Sequence, residues 1–287
     1  YRRSSKVAEK ICNQLEFIFV DDGSLDNSVK IAKSIWQKDS RVTLIKLSKN
    51  FGHHKALITG LEYAKGNLIW LIDVDLEEEP EWLVQFFEKY KSHSVDVVYG
   101  VQKNKRGKLF DIYVRDIFLF FLKFISEIKL PRDVITARLM SKKYKDALCQ
   151  HKEYNPVLLG LSYITGFNQI SILVEKKDSN KTTYSLRKKV NLAIDTVINF
   201  SIRPLKLTFS FGLFILLISI ISAINVFITY LINGISIAGW TSLIISVWIL
   251  GGITISLLGL IGIYLSKIYI QTKNRPYTIV EEIYKTN

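Results

Sequence analysis

From Leu207 to Ser266 the chain carries no Asp, Glu, Lys or Arg, and the apolar run is interrupted only by Asn233-Gly234 and Gly239. A helix needs about 20 apolar residues to cross about 30 Å of hydrocarbon, so Leu207–Ile232 and Trp240–Ser266 each suffice with some tilt. One such run is compatible with a buried core helix. Two in succession, joined by a short uncharged turn, read as a two-span transmembrane hairpin. Arg203 and Lys206 precede the first run, and Lys267, Lys273 and Arg275 follow the second. Basic flanks mark the cytoplasmic side. The expectation is an integral membrane protein with two spans, its N-terminal domain and both termini cytoplasmic.

The hairpin changes the meaning of the charge. A net charge of +13 and a pI near 9.5 would ordinarily raise nucleic acid as a partner. Here, eight Lys or Arg against two Asp lie between Lys176 and Lys206, directly before the first span. Within that stretch Leu186, Val190, Ala193, Ile194 and Val197 share one helical face, while Arg187, Lys188, Lys189 and Asn191 fall largely elsewhere. Such a helix lies in the membrane interface against anionic headgroups, although the same charge also serves simply to set topology. The membrane accounts for the location of the charge, and no nucleic-acid partner is expected. Cys12 and Cys149 have neither CxxC nor Cys/His spacing, so neither a disulfide framework nor a zinc site is expected.

The part before the hairpin alternates short β-rich apolar runs with helical patterns, the arrangement of a mainly parallel α/β sheet with covering helices. Strands are expected at Glu16–Val20, Val42–Leu47, Leu68–Ile72 and Val95–Tyr99, and helices near Asp26–Gln37, His53–Ala64 and Glu81–Tyr90, with Gly66 as a helix stop. Leu109–Ile128 is apolar but broken by Asp111, Arg115, Asp116 and Lys123, and reads as an amphipathic surface helix. A nucleotide-binding sheet normally opens with a strand and loop before its first helix. This sequence opens in a helical stretch, Tyr1–Gln14, so a piece of N-terminal sequence is expected to be missing.

Two acidic constellations close strands. Asp21-Asp22-Gly23-Ser24-Leu25-Asp26 follows the first strand and precedes a helix. Ligands of open α/β sheets sit at carboxyl ends of strands. Carboxylates do not cradle phosphate, so Asp21 and Asp22 suit a base or ribose, Gly23 permits the turn, and Ser24 or Asp26 can cap the helix. Taken alone, the same residues read equally as a strand-end turn with helix capping. Asp73-Val74-Asp75-Leu76-Glu77 closes another strand. Alternate carboxylates can converge on a hard cation and bridge it to a diphosphate. Each motif is weak by itself; their order and spacing on one sheet make the pair informative.

With these residues in view, the sequence resembles the family 2 inverting glycosyltransferases of the GT-A fold, a Rossmann-like nucleotide-diphospho-sugar transferase domain. The branch it resembles is that of the polyprenyl-phosphate glycosyltransferases, such as dolichol-phosphate mannose synthase and bactoprenol glucosyltransferases. The resemblance is carried by FVDDGSLDNS (Phe19–Ser28), LSKNFGHHKALITGLEYAKG (Leu47–Gly66), LIDVDLEEEPEWL (Leu71–Leu83), DVVYGV (Asp96–Val101), PRDVITARLMSKK (Pro131–Lys143) and TYSLRKK (Thr183–Lys189). It implies a nucleotide-sugar donor held by Asp21, Asp22, Lys49 and Asp73, and Mg²⁺ or Mn²⁺ on Asp73, Asp75 and Glu77. It implies further that Asp73, Asp75 and Arg138 carry catalysis, and that Arg132, Arg187 and Lys188 hold the phosphate of an undecaprenyl or dolichyl phosphate acceptor, where bidentate geometry favours arginine.

The sequence also departs from that pattern. Relatives commonly read RDAGDFR where this chain has Arg132-Asp133-Val134-Ile135-Thr136-Ala137-Arg138, so Thr136 stands in place of an acidic residue, and arginines usual in the Lys152–Gly160 segment are absent. A sugar hydroxyl acceptor needs a general base and an ionised phosphate does not. The first departure therefore favours a phosphate acceptor and the second disfavours it. A lipid-linked sugar acceptor and a non-catalytic nucleotide-sugar-binding subunit stand as alternatives. His53 and His54 open a helix, where they either touch the diphosphate or are simply solvated. Gly251, Gly252, Gly259 and Gly262 would permit close helix packing in a homo-oligomer. The division expected is a GT-A domain over 1–175, a basic juxtamembrane segment over 176–206, the hairpin over 207–266 and a cytoplasmic tail over 267–287.

Overall fold

The computed structural model describes residues 1–103, 133–176, 203–233 and 239–286. The Leu109–Ile128 helix, Arg132 and the basic juxtamembrane segment with Arg187 and Lys188 lie outside the described residues. The chain divides into two compact units, one formed by residues 1–117, 129–189 and 274–287, the other by 118–128 and 190–273.

The first unit holds two sheets of mixed direction. After α1 (Arg2–Ala8) comes β1 (Phe17–Asp21), then α2 (Ser28–Trp36) and β2 (Val42–Leu47). β1 and β2 run parallel, with Phe17 opposite Val42 and Asp21 opposite Lys46. β2 is buried at Val42, Leu44, Ile45 and Leu47, the near-continuous apolar pattern of a strand covered on both faces. The second sheet has the order β3-β5-β4-β6, built from β3 (Leu68–Leu71), β4 (Val97–Gln102), β5 (Val134–Ser141) and β6 (Gln169–Val174). β5 runs antiparallel to both neighbours, and β4 and β6 are parallel.

α3 (His53–Tyr63) connects β2 to β3, and α4 (Trp82–His93) connects β3 to β4. Trp82, Leu83 and Phe86 of α4 are buried against Val98, Ala137 and Leu139, with Phe87 and Tyr90 completing the same helical stripe. Each such side chain contributes about 1.5–3 kcal/mol of burial. α5 (Lys142–Leu148) and α6 (Leu158–Ile164) follow β5. The Ser141 hydroxyl accepts the Tyr144 amide and so caps α5.

Two expectations require correction. The strands do not form one mainly parallel sheet: β1 and β3, which lead into the two acidic loops, belong to different sheets, and β5 runs antiparallel to both of its neighbours. Nor is 267–287 a separate tail. α8 (Trp240–Thr272) continues past Ser266, and the chain then returns to the first unit as β7 (Val280–Lys285), antiparallel to β2. Thr278 meets Thr59 of α3, hydroxyl to hydroxyl, at 2.9 Å. Lys46 pairs with Glu281 at 2.8 Å, and the Lys33 ammonium sits 4.2 Å over the Tyr284 ring. The α3 helix ends at Tyr63, and the Gly66 amide, with that of Lys65, is taken by the Glu16 carboxylate at 2.7 Å.

The second unit contains α7 (Arg203–Asn233) and α8, of 31 and 33 residues. At about 1.5 Å per residue both exceed the thickness of a bilayer core. Their large apolar side chains are exposed, Phe209 and Ile255 among them. Among the described residues, Arg203–Ser222 and Ile249–Thr272 are long and apolar enough to cross a membrane.

Candidate active site

Three loops at strand ends build the site. The first follows β1. Asp21 closes the strand at 8% exposure and its carboxylate faces the Ser24 amide at 3.3 Å. Asp22 turns the other way and accepts the amides of Phe51 at 2.7 Å and Gly52 at 2.9 Å, so both oxygens hold the loop after β2. Gly23 has φ +73°, and a β-carbon there would lie 2.6 Å from the Asn50 nitrogen and 2.7 Å from the Lys49 carbonyl carbon. Only glycine allows this approach of two backbones. Asp26 accepts the Ser28 amide at 2.9 Å, a turn leading into α2.

The second loop, Ser48–Gly52, delivers Lys49 and the start of α3. The Lys49 ammonium lies 5.3 Å from the Phe51 ring centre. His53 is exposed and places Nε2 3.6 Å from Asp73 Oδ1. His54 behaves differently: burial pushes its imidazole down to about 4, and its Nδ1 is buried without a hydrogen-bond partner among the described residues. Burial, followed by the nearby charge of Lys49, also lowers the Lys55 ammonium, which lies 4.3 Å over the Tyr154 ring.

The third loop follows β3. Asp73 and Asp75 flank Val74, which is 83% exposed. Asp75 Oδ1 accepts the Glu77 amide at 3.0 Å around Leu76, whose φ of +63° is unusual for a branched side chain. Lys176, just beyond β6, approaches Glu77 at 3.6 Å and Glu78 at 3.4 Å. Glu78 is fully buried, and desolvation, then the charge of Asp73, raises its carboxyl above the ordinary range.

The structure therefore brings together His53 and Asp73 from different loops, and links Asp22 to the loop of Lys49. It does not gather Asp73, Asp75 and Glu77 into one cage: among the described residues no group of three or more His, Cys, Asp or Glu could hold a metal. The donor set nonetheless suits a hard cation. Mg²⁺-like ions bind through one or two carboxylates plus substrate phosphates and waters, not through an all-protein cage. Arg138 is held inside the protein, with Glu78 and Asp73 among the charges that act on it. It is 3% exposed on β5, and its guanidinium donates to the carbonyls of Thr136 at 3.1 Å and Ile135 at 3.3 Å and to the Ser162 hydroxyl. Burial lowers its pKa. The sequence reading missed Glu78 and Lys176. Glu78 stands within Glu77-Glu78-Glu79, where nothing in the order of residues tells which acid is buried.

The model for glycosyl transferase family 2 matches residues 5–149. A protein described as a putative glycosyltransferase from Mycobacterium tuberculosis is 43% identical, over 99% of this chain and 83% of its own length. Putative glycosyltransferase CsbB of Bacillus subtilis is 34% identical, over 93% and 82% respectively. The bactoprenol glucosyl transferase of Shigella phage SfII is 29% identical, over 96% and 89%. The two acidic strand-end loops fall inside the matched residues, and relatives align along nearly the whole chain, so the chain belongs to glycosyl transferase family 2.

Proposed function

We propose that this glycosyltransferase moves a sugar from a nucleotide-sugar to a polyprenyl phosphate at the cytoplasmic face of a membrane, with inversion at the anomeric carbon. The observation that carries the reading is the convergence of the loops after β1, β2 and β3, in which Asp22 grips the Phe51 and Gly52 amides and His53 reaches Asp73. The nucleoside is assigned to the Asp21–Asp22 turn. The diphosphate lies between Lys49, the start of α3 and Asp73, where a helix N-terminus favours an anion. Asp73 and Asp75 would hold Mg²⁺ or Mn²⁺, with Glu77 in reach once it leaves Lys176. Bound there, the ion supplies Lewis-acid stabilisation of the leaving diphosphate.

The acceptor phosphate oxygen attacks the anomeric carbon, a new C–O bond forms, and the bond to the nucleoside diphosphate breaks with its electron pair going to the departing phosphate. An ionised phosphate needs no general base. That agrees with Thr136 standing where relatives carry an acid. The lipid acceptor is supported by α7 and α8, both long and apolar enough to span, and by the bactoprenol glucosyl transferase relative. Basic residues at both ends of the hairpin support cytoplasmic termini. Arg132, Arg187 and Lys188 are assigned to the acceptor phosphate. Among the described residues, a β-carbon at Gly251, Gly252, Gly259 or Gly262 of α8 would meet nothing within 4 Å beyond its own helix turn, leaving a face on which a second copy could pack.

The test is product analysis. The membrane protein is incubated with Mn²⁺ and a panel of nucleotide-sugars, with undecaprenyl phosphate in one arm and a lipid-linked sugar in the other. A chloroform-extractable monosaccharide lipid in the first arm supports the reading. Product in the second arm alone replaces it with elongation of a lipid-linked sugar.

A further inference from the structure

β3 ends abruptly. It pairs with β5 through four rungs, from Leu68 opposite Ser141 to Leu71 opposite Arg138, whereas β5 itself continues to Val134. Extending that register by two residues would set Asp73 opposite Thr136. The two backbone amides of that would-be rung both turn toward one side chain: Glu78 Oε1 accepts from the Thr136 amide at 3.0 Å, and Glu78 Oε2 faces the Asp73 amide at 3.5 Å. The carboxylate is fully buried, and the ammonium of Lys176 lies 3.4 Å from Oε1.

We infer that Glu78 is a positioning residue: its carboxylate occupies the next rung of the β3–β5 ladder, ends the strand pairing there, and so turns Asp73 and Asp75 out of the sheet toward the ligand. A ladder rung needs each amide to meet a carbonyl on the other strand. With both amides committed to one wedge, β3 cannot close further onto β5, and the residues after Leu71 peel away. Val74, exposed between the two aspartates, and Leu76, in left-handed backbone, are the consequences along the loop. The wedge must be a carboxylate. An amide has one acceptor oxygen and would point its NH₂ at the second N–H. Lys176 balances the buried charge. The inference rests on the proposed role of Asp73 and Asp75 in holding a divalent cation, and its test separates the two.

The full chain in detergent is titrated with Mn²⁺ alone, followed by the electron paramagnetic resonance of free Mn²⁺, for the parent, Glu78→Gln, Glu78→Ala and Asp75→Ala. In parallel, residue-resolved hydrogen exchange is measured on the parent. The expected result is a loss of Mn²⁺ affinity of about tenfold or more in both Glu78 variants while cooperative melting is retained, the range for removing a group that orients a metal ligand. A merely structural role would lower the melting temperature and leave the affinity of the folded protein unchanged. The Asp73 and Thr136 amides should exchange more slowly than those of Val74 and Asp75. Folded Glu78→Gln binding Mn²⁺ within twofold of the parent overturns the inference. So does equally fast exchange at all four amides, a result that requires no variant to fold. If neither the parent nor Asp75→Ala binds Mn²⁺, the cation reading itself fails, and the exchange data alone decide whether Glu78 bridges the two strands.

Discussion

Asp22 and Phe51, 29 positions apart in sequence, are joined by a 2.7 Å hydrogen bond in which the Phe51 amide donates to the carboxylate, and the adjacent Gly52 amide fills the second oxygen at 2.9 Å. An aspartate expected to contact the nucleotide thus also fixes the loop that carries Lys49 and begins α3. Asp22→Ala leaves two backbone donors without their partner. Each orphaned donor costs about 1–3 kcal/mol, and for a domain of this size each kcal/mol lowers Tm by about 2–4 °C. Calorimetry should therefore show a drop of about 4–24 °C, with Asp22→Asn intermediate because one acceptor oxygen remains. An unchanged Tm in Asp22→Ala would mean that the clamp contributes nothing to stability.

The strand that follows the hairpin belongs to the fold of the first unit. A stop codon after Lys273 removes β7 and bares the edge of β2, which presents Leu44, Ile45 and Leu47 and a row of unpaired backbone groups. Exposed apolar edges template aggregation. The truncated protein should elute in the void volume on gel filtration or lose its cooperative melting transition. A monodisperse, cooperatively melting product would show that β7 is dispensable.

Much of this architecture was legible in the sequence, and the reason is local. β1 to β4 and α2 to α4 are bounded by periodic apolar patterns and by turn residues, so their expected limits differ from the observed ones by a few residues. The charge-free run of α7 and α8 is equally self-evident. β5 and β7 were not legible as strands of these sheets, because strand partnership is a long-range property: Val280–Lys285 joins β2 from the far side of a hairpin, and no local pattern announces that. The placement of Asp21, Asp22, Asp73 and Asp75 at or just beyond strand ends was legible because each pair follows a short apolar run. The burial of Arg138 and its bonds to two carbonyls and a serine were not legible, because they depend on long-range packing around β5. Glu78 was hidden by its acidic neighbours.

His54 gives the fold a pH dependence of defined sign. Its folded pKa is held at about 4 by burial, below the ordinary 6.5, so between those values the unfolded chain binds the proton more readily. Stability contributed by this residue is complete above about pH 6.5, falls as the pH is lowered, and levels off below about 4, a loss of about 3 kcal/mol. Denaturant unfolding of the parent and of His54→Asn at pH 7.5, 6, 5 and 4 isolates the effect. The stability difference between them should shrink in the parent's disfavour as the pH falls; a pH-independent difference contradicts it.

The two cysteines should differ in reactivity. Burial, as the largest influence, pushes the Cys149 thiol up to about 11, whereas Cys12 is exposed. The thiolate is the nucleophile, so Cys149 is almost wholly unreactive at pH 8. Iodoacetamide under native conditions should label Cys12 alone, as read by peptide mass spectrometry, with Cys149 labelled only after unfolding. Equal labelling of the folded protein would place Cys149 in solvent.

The proposed transfer to a polyprenyl phosphate depends on a cation held at Asp73 and Asp75. It is tested most directly by following radiolabelled sugar from its nucleotide into the organic phase, with undecaprenyl phosphate added or omitted, for the parent and for Asp75→Ala. The account predicts label in the lipid phase that requires both undecaprenyl phosphate and Mn²⁺ or Mg²⁺, is abolished by chelation, and falls by at least about a hundredfold in Asp75→Ala, the scale of losing one electrostatic stabiliser of the leaving group. Transfer that survives the chelator and the substitution undiminished would contradict it.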